Sequence, residues 1–204
     1  MISLAVAGSV MLFGGAGYAG ALAARSICDV TKPLPDGPPP GRPSVIMLVI
    51  CACGAGLVEG LRGAGLTESA LAALLCCSLV GIWYSDVRCG IVPDVFTLVP
   101  LALVLVVAAA SHQWGALASS GIVFVPFALA AFASRGLGMG WGDVKLVALG
   151  GAVLGLEAAV LAFGCACALA VIVALAHRRR HEPLAFAPYL VAAIALPLTA
   201  GLTS

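Results

Sequence analysis

The chain has 204 residues; 62% are hydrophobic and only 9% are charged, with a mean hydropathy of +1.15. A soluble domain carries roughly a quarter charged residues, so this chain cannot cover a water-facing surface and reads as a single membrane domain over residues 1–204, with the lipid bilayer as a partner. The net charge of +1 gives no reason to expect a nucleic-acid partner, and none is expected.

A membrane helix needs about 20 mostly apolar residues. The first candidate covers 2–24 and carries Gly14, Gly15, Gly17 and Gly20, small residues that let helices approach closely in lipid. Ala21-Leu22-Ala23 has the spacing of a signal cleavage site, but residues 1–10 hold no Lys or Arg and Arg25 follows the apolar run. That reverses the charge order of a removable signal, so an uncleaved anchor is expected. A Pro-rich loop follows over 25–44, whose prolines exclude regular helix or sheet. Further apolar segments cover 45–61, 67–85, 95–111, 116–134, 143–156, 158–177 and 184–202. The segment at 143–156 is short and glycine-rich, and a tight turn is expected at Gly155-Leu156-Glu157. Apolar runs of this length do not alternate as barrel strands do, so the expected fold is an all-α bundle of about eight transmembrane helices.

The placement of the cations sets the expected orientation. With the N-terminus outside, Arg25, Lys32, Arg42, Arg88, Arg135, Lys145 and Arg178 to Arg180 lie inside, and only Arg62 lies outside. Nine against one is a strong positive-inside bias. Fusing the sixth and seventh segments would send Arg178 to Arg180 outside, which supports a break near Glu157.

Eight cysteines raise the question of disulfides or zinc. Cys51, Cys53, Cys76, Cys77, Cys165 and Cys167 fall inside predicted helices, and only Cys28 and Cys89 fall in inner loops. No C-x-x-C pair exists, so neither a zinc ribbon nor a disulfide framework is expected. The cysteines read as small apolar packing residues.

Six of the nine acidic residues, namely Asp29, Asp36, Glu59, Glu68, Glu157 and Glu182, read as loop or interfacial charges. The other three, Asp86, Asp94 and Asp143, lie beside inner helix ends. Asp94, just after Pro93, reads as a helix cap. Asp143 opens the sixth segment, where a cap is again a sufficient explanation. Asp86 closes the third segment, where the helix dipole disfavours an anion, and an acid in that position beside membrane is a functional candidate. Two passes separate Asp86 from Asp143, so both carboxylates fall on the same membrane face; their lateral distance is left open. Brought to about 3 Å, two carboxylates share one proton. The ionised one then accepts a proton from an attacking water while the neutral one donates to the oxyanion. Arg88 and Lys145 lie close by in sequence and would favour ionised carboxylates. Gly138, Gly140 and Gly142 alternate ahead of Asp143 and permit close approach of a substrate backbone.

At these residues the chain resembles the type IV prepilin peptidases, polytopic aspartic proteases with G-x-G-D at the second catalytic aspartate. Gly140-Trp141-Gly142-Asp143 fits that motif, and Val144-Lys145-Leu146 extends it. Asp86 with Val92-Pro93-Asp94 is similar to the family's first motif, an aspartate followed by I-P-N or I-P-D. Ala185-Phe186-Ala187-Pro188-Tyr189-Leu190 is similar to its P-F-G-P-F-L stretch, and the resemblance covers roughly 67–200. It implies Asp86 and Asp143 as the catalytic pair, with Gly140, Gly142 and Lys145 as candidate substrate-contacting residues. It also implies prepilin-like substrates of a pilus or secretion system, cut after a glycine at the cytoplasmic face of the inner membrane. No metal or cofactor is required. Larger members carry a zinc-binding C-x-x-C domain after the first helix and also N-methylate the product; here the short loop with Cys28 puts that second activity in doubt. The presenilin-like proteases share G-x-G-D, but Tyr84-Ser85-Asp86 breaks their Y-D motif and no P-A-L occurs. The alternative function is a proton-coupled transporter with Asp86 and Asp143 as carriers. Carriers belong near the midplane, whereas both aspartates are expected at one edge.

Overall fold

The computed structural model describes residues 2–31, 44–63, 65–134, 139–176 and 185–200. Among them are eight α-helices and no strand: α1 (Ile2–Val30), α2 (Val45–Arg62), α3 (Leu66–Cys89), α4 (Asp94–Ala110), α5 (Trp114–Ala133), α6 (Trp141–Leu154), α7 (Leu156–Ala176) and α8 (Ala187–Ala200). Each expected segment has become one helix. Five of them, α1, α2, α3, α5 and α7, are long and apolar enough to cross a membrane, and α4 and α8 are shorter apolar helices. The chain is an all-α, multi-pass membrane protein.

The helix ends follow local chemistry. Ser44 caps α2 by accepting from the Met47 N–H at 3.3 Å. At the start of α3, Glu68 reaches back to the Gly65 N–H at 3.2 Å, satisfying one of the first-turn donors. Pro93 precedes α4, and Pro100, Pro126 and Pro197 lie inside α4, α5 and α8, as membrane helices tolerate. The break between α6 and α7 is a single residue, Gly155 at φ 76°, a conformation that favours glycine. The boundary that differs most from expectation is the end of α1. Helix α1 continues past residue 24 to Val30, because Arg25 and Asp29 are one turn apart, with charged groups 3.9 Å apart, and a helix need not end where its apolar stretch does. Most of the Pro-rich loop, 32–43, lies outside the described residues, as do Gly138, Arg135 and Arg178 to Arg180.

The helices group into two compact units, residues 1–90 and 91–204. In the first unit, α1 packs on α2 and α3 through small residues. A Cβ at Gly56 would lie 2.6 Å from the Ser9 carbonyl, one at Gly17 would lie 2.7 Å from Ala52 Cβ, and one at Gly20 would strike the Cys77 carbonyl. Glycine therefore sets the interhelix distance at these positions. In the second unit, α6 packs against α4, α5, α7 and α8. Its 14 residues span about 21 Å at 1.5 Å per residue, less than the hydrocarbon thickness of about 30 Å. Protein surrounds it: Val144, Leu146, Val147 and Leu149 have no exposed surface. Gly150 admits Phe163 and Ile194, Gly151 admits the Ser119–Ser120 backbone, and Ser120 donates to the Ala148 carbonyl at 2.9 Å.

Candidate active site

Asp86 lies in the last turn of α3. Its carbonyl accepts from the Gly90 N–H at 2.9 Å, and Gly90 (φ 67°) ends the helix in the left-handed conformation. The side chain is buried at the end of a helix whose dipole opposes a negative charge. One residue before it, Ser85 is fully buried and donates to the Gly81 carbonyl at 2.9 Å. Two residues after it, Arg88 turns to other partners: it donates to the Tyr84 hydroxyl at 2.7 Å and to Asp29 of α1 at 2.8 Å.

Asp143 lies in the first turn of α6. The helix starts two residues earlier than the sequence suggests, at Trp141, with Gly140 as N-cap in extended conformation. Asp143 is thus the third helical residue. Its backbone N–H donates to the Gly140 carbonyl at 3.1 Å, and its buried carboxylate accepts from the Gly140 N–H. This is half of a capping box, with the acid reaching back to the cap residue.

The segment before α4 meets this turn inside the second unit. A Cβ on Gly142 would lie 2.6 Å from Val92 Cβ and 3.3 Å from each Val92 methyl. The second glycine of G-x-G-D is therefore the surface on which Val92 of Val92-Pro93-Asp94 rests. Beside this contact, Lys145 Nζ lies 2.6 Å from Asp94 Oδ1. Asp94 is not the cap expected of it: Pro93 holds the N-cap position, and the Asp94 carboxylate, 61% exposed, faces Lys145 across the helices. The two cations expected to disturb Asp86 and Asp143 each have a carboxylate partner of their own, Asp29 for Arg88 and Asp94 for Lys145. Gly140 is more open: a Cβ there would meet Asp143 Oδ2 at an ordinary 3.6 Å.

One cysteine expectation is corrected. Cys28, in the last turn of α1, and Cys89, at the end of α3, form a disulfide with Cα atoms 6.1 Å apart. Spacing rules built on C-x-x-C do not detect a bond between cysteines separated by 61 positions; the available signal was that these two alone fall outside the apolar segments. Cys51, Cys53, Cys76, Cys77, Cys165 and Cys167 are free and helical, as expected. Among the described residues no group of three or more His, Cys, Asp or Glu is arranged to hold a metal.

The fold and these motifs define a multi-pass helical membrane protein with a G-x-G-D turn whose aspartate is buried. The type IV leader peptidase family matches residues 73–175, which include α4, α5, α6 and most of α3 and α7, and the chain belongs to that family. It is similar to two proteins named prepilin leader peptidase/N-methyltransferase, from Burkholderia pseudomallei strains 1026b and K96243. It is 34% identical to each over 171 residues, covering 76% of this chain and 54% of the relative. The chain thus spans about half the length of the curated relatives it matches. No solved structure matches it.

Proposed function

We propose that the chain is an aspartic endopeptidase that removes the short basic leader from prepilin-like proteins, with Asp86 and Asp143 as the catalytic pair. The observation that carries this reading is the packing of Val92 on Gly142, which joins the trailing half of the first family motif to the turn that bears Asp143. Five residues of chain, 87–91, link Asp86 to Val92. The mechanism of such a pair has two carboxylates share one proton. The ionised member takes a proton from water as it attacks the scissile carbonyl, and the neutral member donates to the developing oxyanion. The carboxylate held by the Gly140 N–H keeps a fixed orientation for this work. Gly140, Gly142 and Lys145 line the approach of the substrate backbone, with Lys145 held by Asp94.

The orientation that suits this chemistry has the N-terminus outside and the active site at the cytoplasmic face of the inner membrane, in line with the nine-to-one placement of cations. Cleavage then falls after a glycine, just before the apolar segment of the substrate. Membership of a peptidase family speaks against the transporter reading. The test is incubation of the purified chain with a purified prepilin in detergent, with the products read by mass spectrometry. A single cut after the glycine is expected. An intact prepilin, under conditions where a known prepilin peptidase cuts it, would refute the proposal.

A further inference from the structure

The last turns of α1 and α3 are joined twice. Cys28 is bonded to Cys89, and the adjacent residues Asp29 and Arg88 form an ion pair at 2.8 Å. Arg88 is in turn steadied by the Tyr84 hydroxyl at 2.7 Å. Cys89 is three positions after Asp86, in the turn closed by the bond from the Gly90 N–H to the Asp86 carbonyl. Both cysteines are at least nine-tenths buried, yet both sit at helix ends, where local opening costs least. On the cytoplasmic face proposed above, thiols are kept reduced, and a disulfide found there belongs to redox sensing or catalysis rather than to permanent stapling. The six free cysteines lie within helices; the pair that bonds joins two helix ends next to a proposed catalytic aspartate.

From this we infer that Cys28 and Cys89 form a reversible thiol–disulfide site that controls how firmly the Asp86 turn is held, the oxidised form being the more active peptidase. The inference rests on the peptidase reading of Asp86. Closure needs a low-molecular-weight disulfide as oxidant. One cysteine thiolate attacks it and releases a small thiol. The second cysteine then loses its proton, displaces the other small thiol and forms the Cys28–Cys89 bond. Two electrons pass from the cysteine pair to the small disulfide, which leaves as two thiols; a dithiol reductant reverses the step. Once the bond is open, the packing of α1 on α3 leaves the two helix ends within reach of each other, so the bond can re-form, and the Asp29–Arg88 ion pair still joins their last turns. Its groups are 53% and 37% exposed, and such a pair confines a helix end weakly, so the turn carrying Asp86 loosens. The expected fall in rate is on the order of tenfold, short of the roughly 100-fold cost of a full 1 Å misplacement.

The experiment equilibrates the full chain in detergent with glutathione buffers running from reducing to oxidising. Differential alkylation with mass spectrometry reads the state of Cys28 and Cys89, and each sample is assayed on a purified prepilin. Cys28→Ser and Cys89→Ser are run in parallel. The inference expects the crosslink to titrate reversibly, the parent rate to rise with it, and both variants to stay at the low rate in every buffer. A parent rate that is flat while the crosslink titrates overturns the inference and leaves the peptidase reading intact. A crosslink that opens only when the protein unfolds also overturns it, marking a permanent staple. No cleavage in any buffer, with the crosslink titrating, removes the peptidase reading and the inference with it. The parent protein alone decides the matter if the serine variants fail to fold.

Discussion

Gly142→Ala is the substitution for which the structure gives the sharpest expectation. The added carbon would lie 2.6 Å from Val92 Cβ and 3.3 Å from both methyls, whereas carbon atoms settle at about 3.5–4.0 Å. About 1 Å of displacement is therefore forced between the start of α6 and the 91–93 segment. The body of α6 cannot retreat, since Val144, Leu146 and Val147 are fully enclosed, so the shift falls on the first turn, which bears Asp143, and on the Val92 segment. Overpacking of this kind costs about 1–3 kcal/mol of stability, and a catalytic group moved by 1 Å loses about 100-fold in rate. Gly140→Ala is the control: its Cβ would meet Asp143 Oδ2 at 3.6 Å, and its backbone, φ −74° and ψ 146°, suits alanine. The expected cost there is about 1 kcal/mol of capping, with most activity retained. The rescue is specific as well. Because the nearest atom is Val92 Cβ, Val92→Gly should restore Gly142→Ala, whereas Val92→Ala, which keeps that atom, should not. Prepilin cleavage in detergent, with thermal unfolding of each variant, is the assay. A Gly142→Ala protein at the parent rate, a Gly140→Ala protein equally damaged, or a full rescue by Val92→Ala would refute the steric account.

Three further outcomes are expected. Asp94→Asn should keep much of the cleavage, because the Lys145–Asp94 pair has side chains 29% and 61% exposed and such pairs contribute about 1 kcal/mol or less; a loss of 100-fold in a folded variant would give Asp94 a direct role. In a Cys-free background, single cysteines at positions 88 and 179 should be protected from an impermeant label added outside; labelling from outside would overturn the N-out orientation and the cytoplasmic site together. On the proposed peptidase reading, a substrate processed with this chain as the sole peptidase should carry an unmethylated N-terminus, since no C-x-x-C pair is present; a methyl group dependent on this protein would refute that expectation.

Helix positions were legible because apolar length is a direct consequence of the solvent: all eight runs became helices, most with ends within three residues of expectation. The ends were less legible, since they depend on partners distant in sequence or on polar contacts beyond the apolar stretch. Helix α1 outlasts its apolar stretch, and α6 starts at Trp141 rather than at Asp143 because the acid caps from inside the first turn. In the candidate site, the motif glycines were visible, but the reason for one of them, the Val92 side chain, was not. Sequence adjacency suggested that Arg88 and Lys145 disturb the aspartates; tertiary packing gives each its own carboxylate. The Cys28–Cys89 bond joins positions 61 apart, and its one signal in the sequence was that these two cysteines alone fall outside the apolar segments.

The central claim is the aspartic pair, and replacement of Asp86 or Asp143 by Asn tests it most directly. Asn keeps the size of Asp143 and still accepts from the Gly140 N–H, so a purely capping role survives the change at a cost of about 1 kcal/mol or less. It cannot take a proton from water, so a catalytic role does not survive, and the rate should fall by at least about 100-fold. The measurement is prepilin cleavage by each variant in detergent, with amount and folding matched to the parent. The account predicts loss of cleavage in both folded variants. A well-folded Asp143→Asn protein that cleaves near the parent rate would contradict it and leave Asp143 as a cap.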